Sequence, residues 1–289
     1  MAADYRWARH DTLTSRLADG ELAFVQLTTT FCMGGDERAM ETTALVSFGR
    51  SGDLCRDHGE WSDALTQTGA RVGRCAAWNG AGLAVENIEC LADAQLIIVC
   101  IESAMSVPIE DIAALIRHMK AKRALPVVVV GGDASQRQVL SDADGFVGGI
   151  GRTVGETAVA VLTTFHLALS AAHRLTCVDL EDALSAAGSA SEPAVLVETV
   201  WQREPFQVPA LSAAAANMLR GAPVERVLIV PSARGLALAD VGELVAWVRG
   251  VTGKPSLDVV IAAPVDCAGG ACVLSNFGVL RLVVRHRES

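Results

Sequence analysis

The sequence has few aromatic residues, no long hydrophobic run and no basic stretch, and each absence excludes a class of protein. Aromatic residues make up 4% of the chain, which favours helices packed closely on sheets over an aromatic-lined binding surface. The apolar stretches at 96–101 and 127–130 are far shorter than the roughly 20 residues that span a bilayer, so we expect no direct membrane insertion. The net charge of -9 argues against a nucleic-acid partner.

The cysteines also lack a pattern. Eight are scattered through the chain without a CxxC pair, which is typical of small buried residues in a reducing cytoplasm. Only Cys267 and Cys272 lie close together, around a Gly-Gly turn, and buried or turn-flanking thiols are the better interpretation there than a disulfide or a metal site. Residues 1–20 mix acidic and basic side chains and do not form a signal peptide. We therefore expect a cytoplasmic protein without a bound metal.

Apolar runs in the middle of the chain predict a parallel sheet. The run QLIIVCI at 95–101 is typical of a strand covered on both faces, and LPVVVVGG at 125–132 provides a second such strand. Between them, Ile112, Leu115 and Met119 fall on one face of a helix that can begin near Pro108. This is a βαβ unit. Residues 153–173 then read as one long apolar helix that is buried between two layers.

The remainder of the chain predicts a mixed sheet. Residues 178–187, 208–219 and 240–251 have helical patterns, and apolar strands alternate with them. We expect the last two strands, at 257–265 and 271–280, to pair as a hairpin around Gly269 and Gly270. Residues 148–151 (GGIG) are interpreted as a flexible turn before the long helix.

Two segments carry a resemblance to the FtsZ/tubulin family. TCVDLEDALSAAG at 176–188 is similar to the FtsZ segment NVDFADVRTVMSNAG, with Asp179 and Asp182 on its two acidic positions. Residues 224–266 resemble the FtsZ stretch that runs from "LTLDEV" to "IIFGAVID", whose places are held here by 238–241 (LADV) and 263–266 (APVD). The resemblance covers 93–280 by element order and 176–280 by residue pattern.

The resemblance implies an α/β fold of FtsZ/tubulin type. It would consist of a parallel-sheet, Rossmann-like N-terminal half, a long central helix and a mixed-sheet C-terminal domain. The implied boundaries are a degenerate nucleotide-binding-like domain at 1–152, the central helix at 153–175 and an FtsZ-like C-terminal domain at 176–289.

The family's phosphate loops are missing from the N-terminal half. FtsZ and tubulins carry GGGTGTG or GGGTGSG after the fourth strand, because only glycine lets several backbone N–H groups face phosphate without a Cβ clash. Here 102–108 (ESAMSVP) contain no glycine, and Glu102 adds a negative charge. The early GGGGGN-type turn is absent after Leu27 as well. Only Gly80, Ala81 and Gly82 resemble a family loop, the one that touches the γ-phosphate, and they are the residual candidates for a GTP or GDP contact.

The acidic segment has two interpretations. In FtsZ the two aspartates polarise, across a subunit interface, the water that attacks the neighbour's GTP; the resemblance implies a role in trans for Asp179 and Asp182 and an interface that includes Cys177. Alternatively, Asp179 caps the helix that follows it and Asp182 lies in its first turn, where a carboxylate favours the helix dipole. Cys177 stands at the family's Asn position and cannot make the same amide hydrogen bonds.

Asp133 supports a second class of function. It follows Gly131 and Gly132 at the carboxyl end of a predicted parallel strand, where open α/β sheets bind ligands. A deep crevice with converging titratable groups at this point would indicate a small-ligand-binding enzyme. Asp142 and Asp144 read as loop carboxylates rather than metal ligands, because spacing suggests no third ligand.

The sequence thus predicts an FtsZ-like accessory or assembly protein without GTPase activity of its own and without a bound cofactor. Its partners would be further copies of itself or an FtsZ-like filament. The alternatives are an α/β enzyme that uses the crevice near Asp133, and a GTP-binding, polymerising FtsZ homologue with an atypical pocket.

Overall fold

The computed structural model describes residues 21–33, 36–48, 70–77, 94–101, 108–123, 125–170, 176, 178–202, 207, 209–221, 223–233, 236–263 and 277–287. The strands in this part of the chain are β1 (Glu21–Met33), β2 (Asp36–Phe48), β3 (Ala70–Ala77), β4 (Ala94–Ile101), β5 (Val127–Gly131), β6 (Gly145–Gly149), β7 (Ala194–Gln202), β8 (Val224–Ser232), β9 (Asp258–Ile261) and β10 (Phe277–His286). The helices are α1 (Ile109–Arg123), α2 (Ala134–Val139), α3 (Val154–Ser170), α4 (Leu180–Leu184), α5 (Ala213–Gly221) and α6 (Leu238–Thr252).

The strands form one sheet in the order β3-β1-β2-β4-β5-β6-β7-β10-β8-β9. The five strands from β2 to β7 in this order run parallel, β1 is antiparallel to both β2 and β3, and β10 is antiparallel to both β7 and β8. The predicted βαβ unit is confirmed as β4, α1 and β5. The sheet continues from the first half of the chain into the second, because β6 pairs with β7.

Buried residues alternate between the two faces of the middle strands. Leu96, Ile98 and Cys100 of β4 contact one core cluster, which contains α3, while the residues between them contact another, which contains α1. Successive side chains of a strand point to opposite faces, so a strand covered on both sides is apolar throughout. The continuous apolar runs recognised in the sequence have this cause.

Helix α3 corresponds to the predicted central helix, and its buried residues belong to a single core cluster. Its buried side chains, among them Val161 and Phe165, pack with residues of β4, β5 and β6. The same cluster includes Leu228 and Val230 of β8 and Val283 of β10, so the helix also contacts the C-terminal strands. An element with apolar neighbours on most sides must be apolar on most sides, as this sequence is.

Two predictions about strands are wrong. Strands β9 and β10 do not form a hairpin with each other: β9 pairs with β8 in parallel, and β10 lies between β7 and β8. The loop at 264–276, including its Gly-Gly turn, lies outside the described residues. Of the turn predicted at 148–151, Gly148 and Gly149 belong instead to strand β6, whereas Ile150 and Gly151 follow the strand. Glycine is required at Gly149 because a Cβ there would collide with the side chain of Thr157 on the central helix.

Candidate functional site

The acidic segment that contains Asp179 and Asp182 forms the start of a short helix, and its first carboxylate caps that helix. Asp179 is the N-cap of α4, and its Oδ1 accepts a hydrogen bond from the backbone N–H of Asp182 at 2.7 Å. This satisfies one of the N–H groups that a helix leaves unpaired at its start. The capping role predicted for Asp179 is confirmed. Cys177 lies outside the described residues.

Contacts on both sides hold this helix against the C-terminal strands. The hydroxyl of Thr176 donates to the carbonyl oxygen of Ile261 at 2.5 Å and accepts from the N–H of Ala263 at 3.1 Å. At the other end, Nη1 of Arg285 donates to the carbonyl oxygen of Ser185, the C-cap residue, at 3.1 Å. Ala183 is fully buried in the core. The position of the helix is therefore determined by the end of β9, by β10 and by the central core.

Three carboxylates project from this fixed helix into solvent. Asp179, Glu181 and Asp182 are all exposed. Within the described part of the chain none of them forms an ion pair. We refer to these three side chains on α4 as the acidic helix. Besides the cap that Asp179 provides, the acidic helix presents negative charge that no described residue neutralises, and such a surface is suited to contact with a cationic one.

The second predicted site lies where strand β5 ends. Gly131 and Gly132 have φ values of 87° and 71°, in the left-handed region that favours glycine. A Cβ on Gly131 would collide with the carbonyl oxygen of Ile101 and with Cγ1 of Val154. The N–H of Gly132 donates to that same carbonyl oxygen at 3.1 Å. The close approach of β4 and the central helix thus explains Gly131, and the left-handed backbone explains Gly132.

Asp133 is engaged in capping the helix that follows it. Its Oδ1 accepts from Ser135 Oγ at 2.6 Å and from the N–H of Gln136 at 2.9 Å, while Gln136 Oε1 accepts from the N–H of Asp133 at 2.8 Å. These bonds, first of all the one from the Ser135 hydroxyl, lower the pKa of Asp133 from its ordinary value of 3.8. A carboxylate in this state is a stable anion in a capping box, and it is a poor proton acceptor.

Arg137, the cation near Asp133, also forms hydrogen bonds that support the local backbone. Arg137 donates through Nη1 to the carbonyl oxygen of Gly132 at 2.6 Å and through Nε to that of Ala190 at 3.0 Å. The described contacts around Asp133 are therefore those of a helix start and its support. The charge of Arg137 also contributes to the lowered pKa of the Asp133 carboxyl.

Asp142 and Asp144 form ion pairs with helix α1. Asp144 accepts from Lys120 Nζ at 2.8 Å and from the N–H of Val127 at 2.8 Å, and Asp142 lies 3.5 Å from Arg117. Among the residues described, no group of three or more His, Cys, Asp or Glu could hold a metal ion.

An ion-pair trio that the sequence reasoning missed lies beside the start of the central helix. Glu198 of β7 is 2.8 Å from Nη2 of Arg152, in the turn before that helix, and 2.8 Å from Nε of Arg281 on β10. Glu198 and Arg281 are directly opposite each other in the antiparallel pair. Burial raises the pKa of Glu198, but the attraction of Arg281 and Arg152 outweighs it and leaves the pKa below the ordinary value of 4.5.

The helix start itself carries a second capping arrangement, and its interior carries a buried histidine. The N–H and hydroxyl of Thr153 bond to Glu156 Oε2 at 2.8 and 3.0 Å, and the bond from the Thr153 N–H is the first cause of the lowered pKa of Glu156. His166 is 3% exposed, and burial lowers its pKa from 6.5 to about 4. It is therefore a neutral core residue at pH 7.

Several predicted positions lie outside the described residues. They include the glycine-free turn at 102–107 and the residual nucleotide-loop candidates Gly80, Ala81 and Gly82. Their role stays a prediction. No helix in the described part of the chain is both long and apolar enough to cross a membrane.

Comparison with known proteins identifies the fold. No protein-family model matches the sequence, and no curated protein matches it either. Among solved structures, a W319Y mutant of FtsZ from M. jannaschii is similar with a TM-score of 0.51 at 14% identity, over 69% of this chain and 68% of that one.

Two further structures match with lower scores. They are an empty FtsZ dimer from M. jannaschii (TM-score 0.46, 14% identity, 68% of this chain and 65% of that one) and GDP-bound CetZ1 from Haloferax volcanii (0.44, 12%, 71% and 70%). The chain thus spans about two thirds of the FtsZ chains it matches. The order of strands, the central helix and the match to the FtsZ mutant together show that this chain has an FtsZ/tubulin-like fold.

Proposed function

We propose that this chain is an FtsZ-like accessory or assembly protein without GTPase activity of its own. It acts through protein contacts of the acidic helix, either with another copy of itself or with an FtsZ-like filament. The observation that carries this proposal is the acidic helix: three exposed carboxylates without ion pairs in the described structure, on a helix held by Thr176 and Arg285. In this proposal residues 1–152 form a degenerate nucleotide-binding-like domain, joined by a central helix at 153–175 to the C-terminal domain at 176–289, and the protein is cytoplasmic.

The rigidity of the segment supports a role in recognition. A preorganised surface loses less conformational entropy on binding than a loop that must first become ordered. The cap at Asp179 and the hydrogen bonds of Thr176 and Arg285 fix the position of the helix in the absence of a partner. Charged groups on a preorganised surface mainly determine specificity and the association rate.

The proposed lack of GTPase activity is supported by the sequence of 102–108 and by the role of Asp133 as a helix cap. Residues 102–108 contain no glycine and include Glu102, so they offer a poor lining for phosphates. At the end of β5, Asp133 and Arg137 bond to their own helix and to nearby backbone. The alternative of an enzyme acting near Asp133 gains no supporting contact from these residues.

The proposal is tested by removing charge from the acidic helix without removing its cap. Asparagine caps helices as well as aspartate does, so Asp179→Asn with Asp182→Asn keeps the helix start and removes two charges. We expect this double variant to lose self-association, or co-sedimentation with FtsZ filaments such as those of the M. jannaschii protein. Circular dichroism and the urea midpoint should stay close to those of the parent.

Asp133→Asn is the matched control. Asp133 is an exposed N-cap of another short helix and makes the same kind of bond as Asp179, to an N–H three residues later. This variant should assemble like the parent. If the Asp179→Asn, Asp182→Asn variant also assembles and affects FtsZ filaments like the parent, the acidic helix is not a contact surface and the proposal fails.

A further inference from the structure

A cluster of positive charge surrounds the start of β8. The N–H of Arg287 donates to the carbonyl oxygen of Pro223 at 2.8 Å, and Lys254 Nζ donates to that of Val224 at 2.7 Å. Arg226 and Arg285 stand directly opposite each other on β8 and β10. We call this cluster the basic end; its members are Arg220, Arg226, Arg249, Lys254, Arg285 and Arg287.

The basic end has more positive charge than its own carboxylates neutralise. Arg226 is paired with Asp258, and Arg285 lies 3.3 Å from Glu225. Glu192 is the third acid nearby, since it acts on His286. Among the residues that the structure describes, these six cations and three carboxylates leave an excess of three positive charges, although the whole chain has a net charge of -9.

Part of that excess is both exposed and unpaired. Arg220, in the last turn of α5, and Arg287 are exposed and form no ion pair with any residue that the structure describes. Arg226 and Arg285 lie opposite each other, where like charges repel, but Asp258 and Glu225 each balance one of them. An anionic partner would therefore lower the electrostatic free energy of this surface.

The acidic helix adjoins the basic end. Arg285 belongs to the basic end, and its Nη1 donates to the carbonyl oxygen of Ser185, three residues after Asp182. Asp179, Glu181 and Asp182 provide three negative charges, which matches the excess counted among the described residues of the basic end. Two adjacent patches of equal and opposite charge make one surface that is complementary to itself.

We propose that this two-part surface is a two-fold interface between two copies of the chain. In a two-fold dimer the same surface serves both subunits, so a contact made by one side is repeated by the other. The acidic helix of each copy lies on the basic end of its partner. This inference rests on the self-association form of the proposed function, and it specifies which surface meets the acidic helix.

The experiment is a charge swap followed by sedimentation velocity. One variant carries Glu181→Lys and Asp182→Lys, which retains the Asp179 cap; the other carries Arg220→Glu and Arg287→Glu, whose side chains make no described ion pair. The parent should dimerise at about 0.01 M ionic strength and dissociate at about 1 M, where the Debye length falls from roughly 30 Å to roughly 3 Å. Each variant alone should dimerise roughly tenfold more weakly or worse.

Mixing the two variants is the decisive step. In the mixed dimer both contacts unite opposite charges again, so equal amounts of the two variants should form a heterodimer that is tighter than the homodimer of either variant. A parent that stays monomeric at low ionic strength overturns the inference. So does a parent dimer that neither variant weakens, or a mixture that remains monomeric. If in those cases the Asp179→Asn, Asp182→Asn variant still loses contact with FtsZ filaments, the proposed function stands without this interface.

Discussion

Replacing Glu198 should destabilise the protein more than replacing any exposed glutamate of the described structure. Both oxygens of Glu198 are occupied, each at 2.8 Å from a guanidinium nitrogen, one of Arg152 and one of Arg281. The side chain of Glu198 is 21% exposed and that of Arg281 only 13% exposed. Glu198→Ala would leave Arg281 with its charge largely removed from water and without the carboxylate that balances it.

The magnitude follows from this partial burial. Removing one member of a fully buried ion pair costs about 3–5 kcal/mol, because an uncompensated charge remains. Arg152 is 34% exposed and can be solvated after the change, so the loss is smaller than for a closed pair. We expect Glu198→Ala to cost about 2–3 kcal/mol and Glu198→Gln, which keeps hydrogen-bond acceptance, about 1–2 kcal/mol.

The assay is urea unfolding followed by circular dichroism, with the change in midpoint converted through a shared m-value. Glu225→Gln is the control, because Glu225 faces Arg285 at 3.3 Å but is 45% exposed, and an exposed pair contributes about 0–1 kcal/mol. Equal midpoints for Glu198→Gln and Glu225→Gln would refute the reasoning, since burial of the trio would then have no energetic effect.

The trio also predicts a pH dependence. The pKa of Glu198 in the folded protein lies below the ordinary value of 4.5. Its ionised form therefore contributes stability above pH 4.5, and that contribution is lost as the pH falls through the folded pKa. The difference in stability between the parent and Glu198→Gln should be constant from neutral pH to about pH 5 and should shrink in more acidic buffer.

Two further predictions concern the core. Burial lowers the pKa of His166 to about 4, so between pH 6.5 and 4 the unfolded chain binds a proton that the folded chain does not. As the pH falls through this interval, His166 should lower the free energy of unfolding by up to about 3 kcal/mol, measured by urea unfolding at each pH. His166→Leu should remove this contribution and leave the smaller losses caused by the carboxylates. Gly131→Ala should lower the free energy of unfolding by about 3 kcal/mol or more in the same assay, because the new Cβ would collide with Ile101 and Val154. Gly253 also has a left-handed φ of 66°, but a Cβ there would have nothing within 4 Å, so Gly253→Ala should cost only about 1 kcal/mol. Equal losses for the two variants would contradict the steric explanation.

Sequence reasoning succeeded where the physical signal is local. The apolar runs that became β4 and β5 are continuous because both faces are covered, and the central helix is apolar for the same reason. The cap at Asp179 was one of two interpretations of the acidic segment, and it could be proposed because it depends only on the position of Asp179 relative to the helical pattern. Each of these predictions depends on neighbours within a few residues.

Strand pairing between distant segments could not be predicted in this way. Strand β10 lies between β7 and β8, although residues adjacent in sequence favoured a hairpin with β9. Strand β6 was missed because GFVGG has too few side chains for a strand pattern; its glycine at 149 is required by Thr157 on a later element.

The ion-pair trio was missed for a related reason, but the sequence contained a signal for it. Glu198 interrupts the apolar strand AVLVETV, and Arg281 interrupts GVLRLVV. A single charge of each sign inside two apolar strands suggests that they face each other, since a buried charge needs a partner. Only the pairing of β7 with β10 turns that suggestion into the observed contact.

The measurement that tests the account most directly is binding of labelled GTP and GDP to the purified protein, with M. jannaschii FtsZ as the control. The account predicts that the control binds and that this protein shows no binding at micromolar nucleotide, because residues 102–108 lack the glycines that phosphate contact requires. Micromolar binding of either nucleotide would contradict it, and would indicate instead a GTP-binding FtsZ-like protein with an atypical pocket.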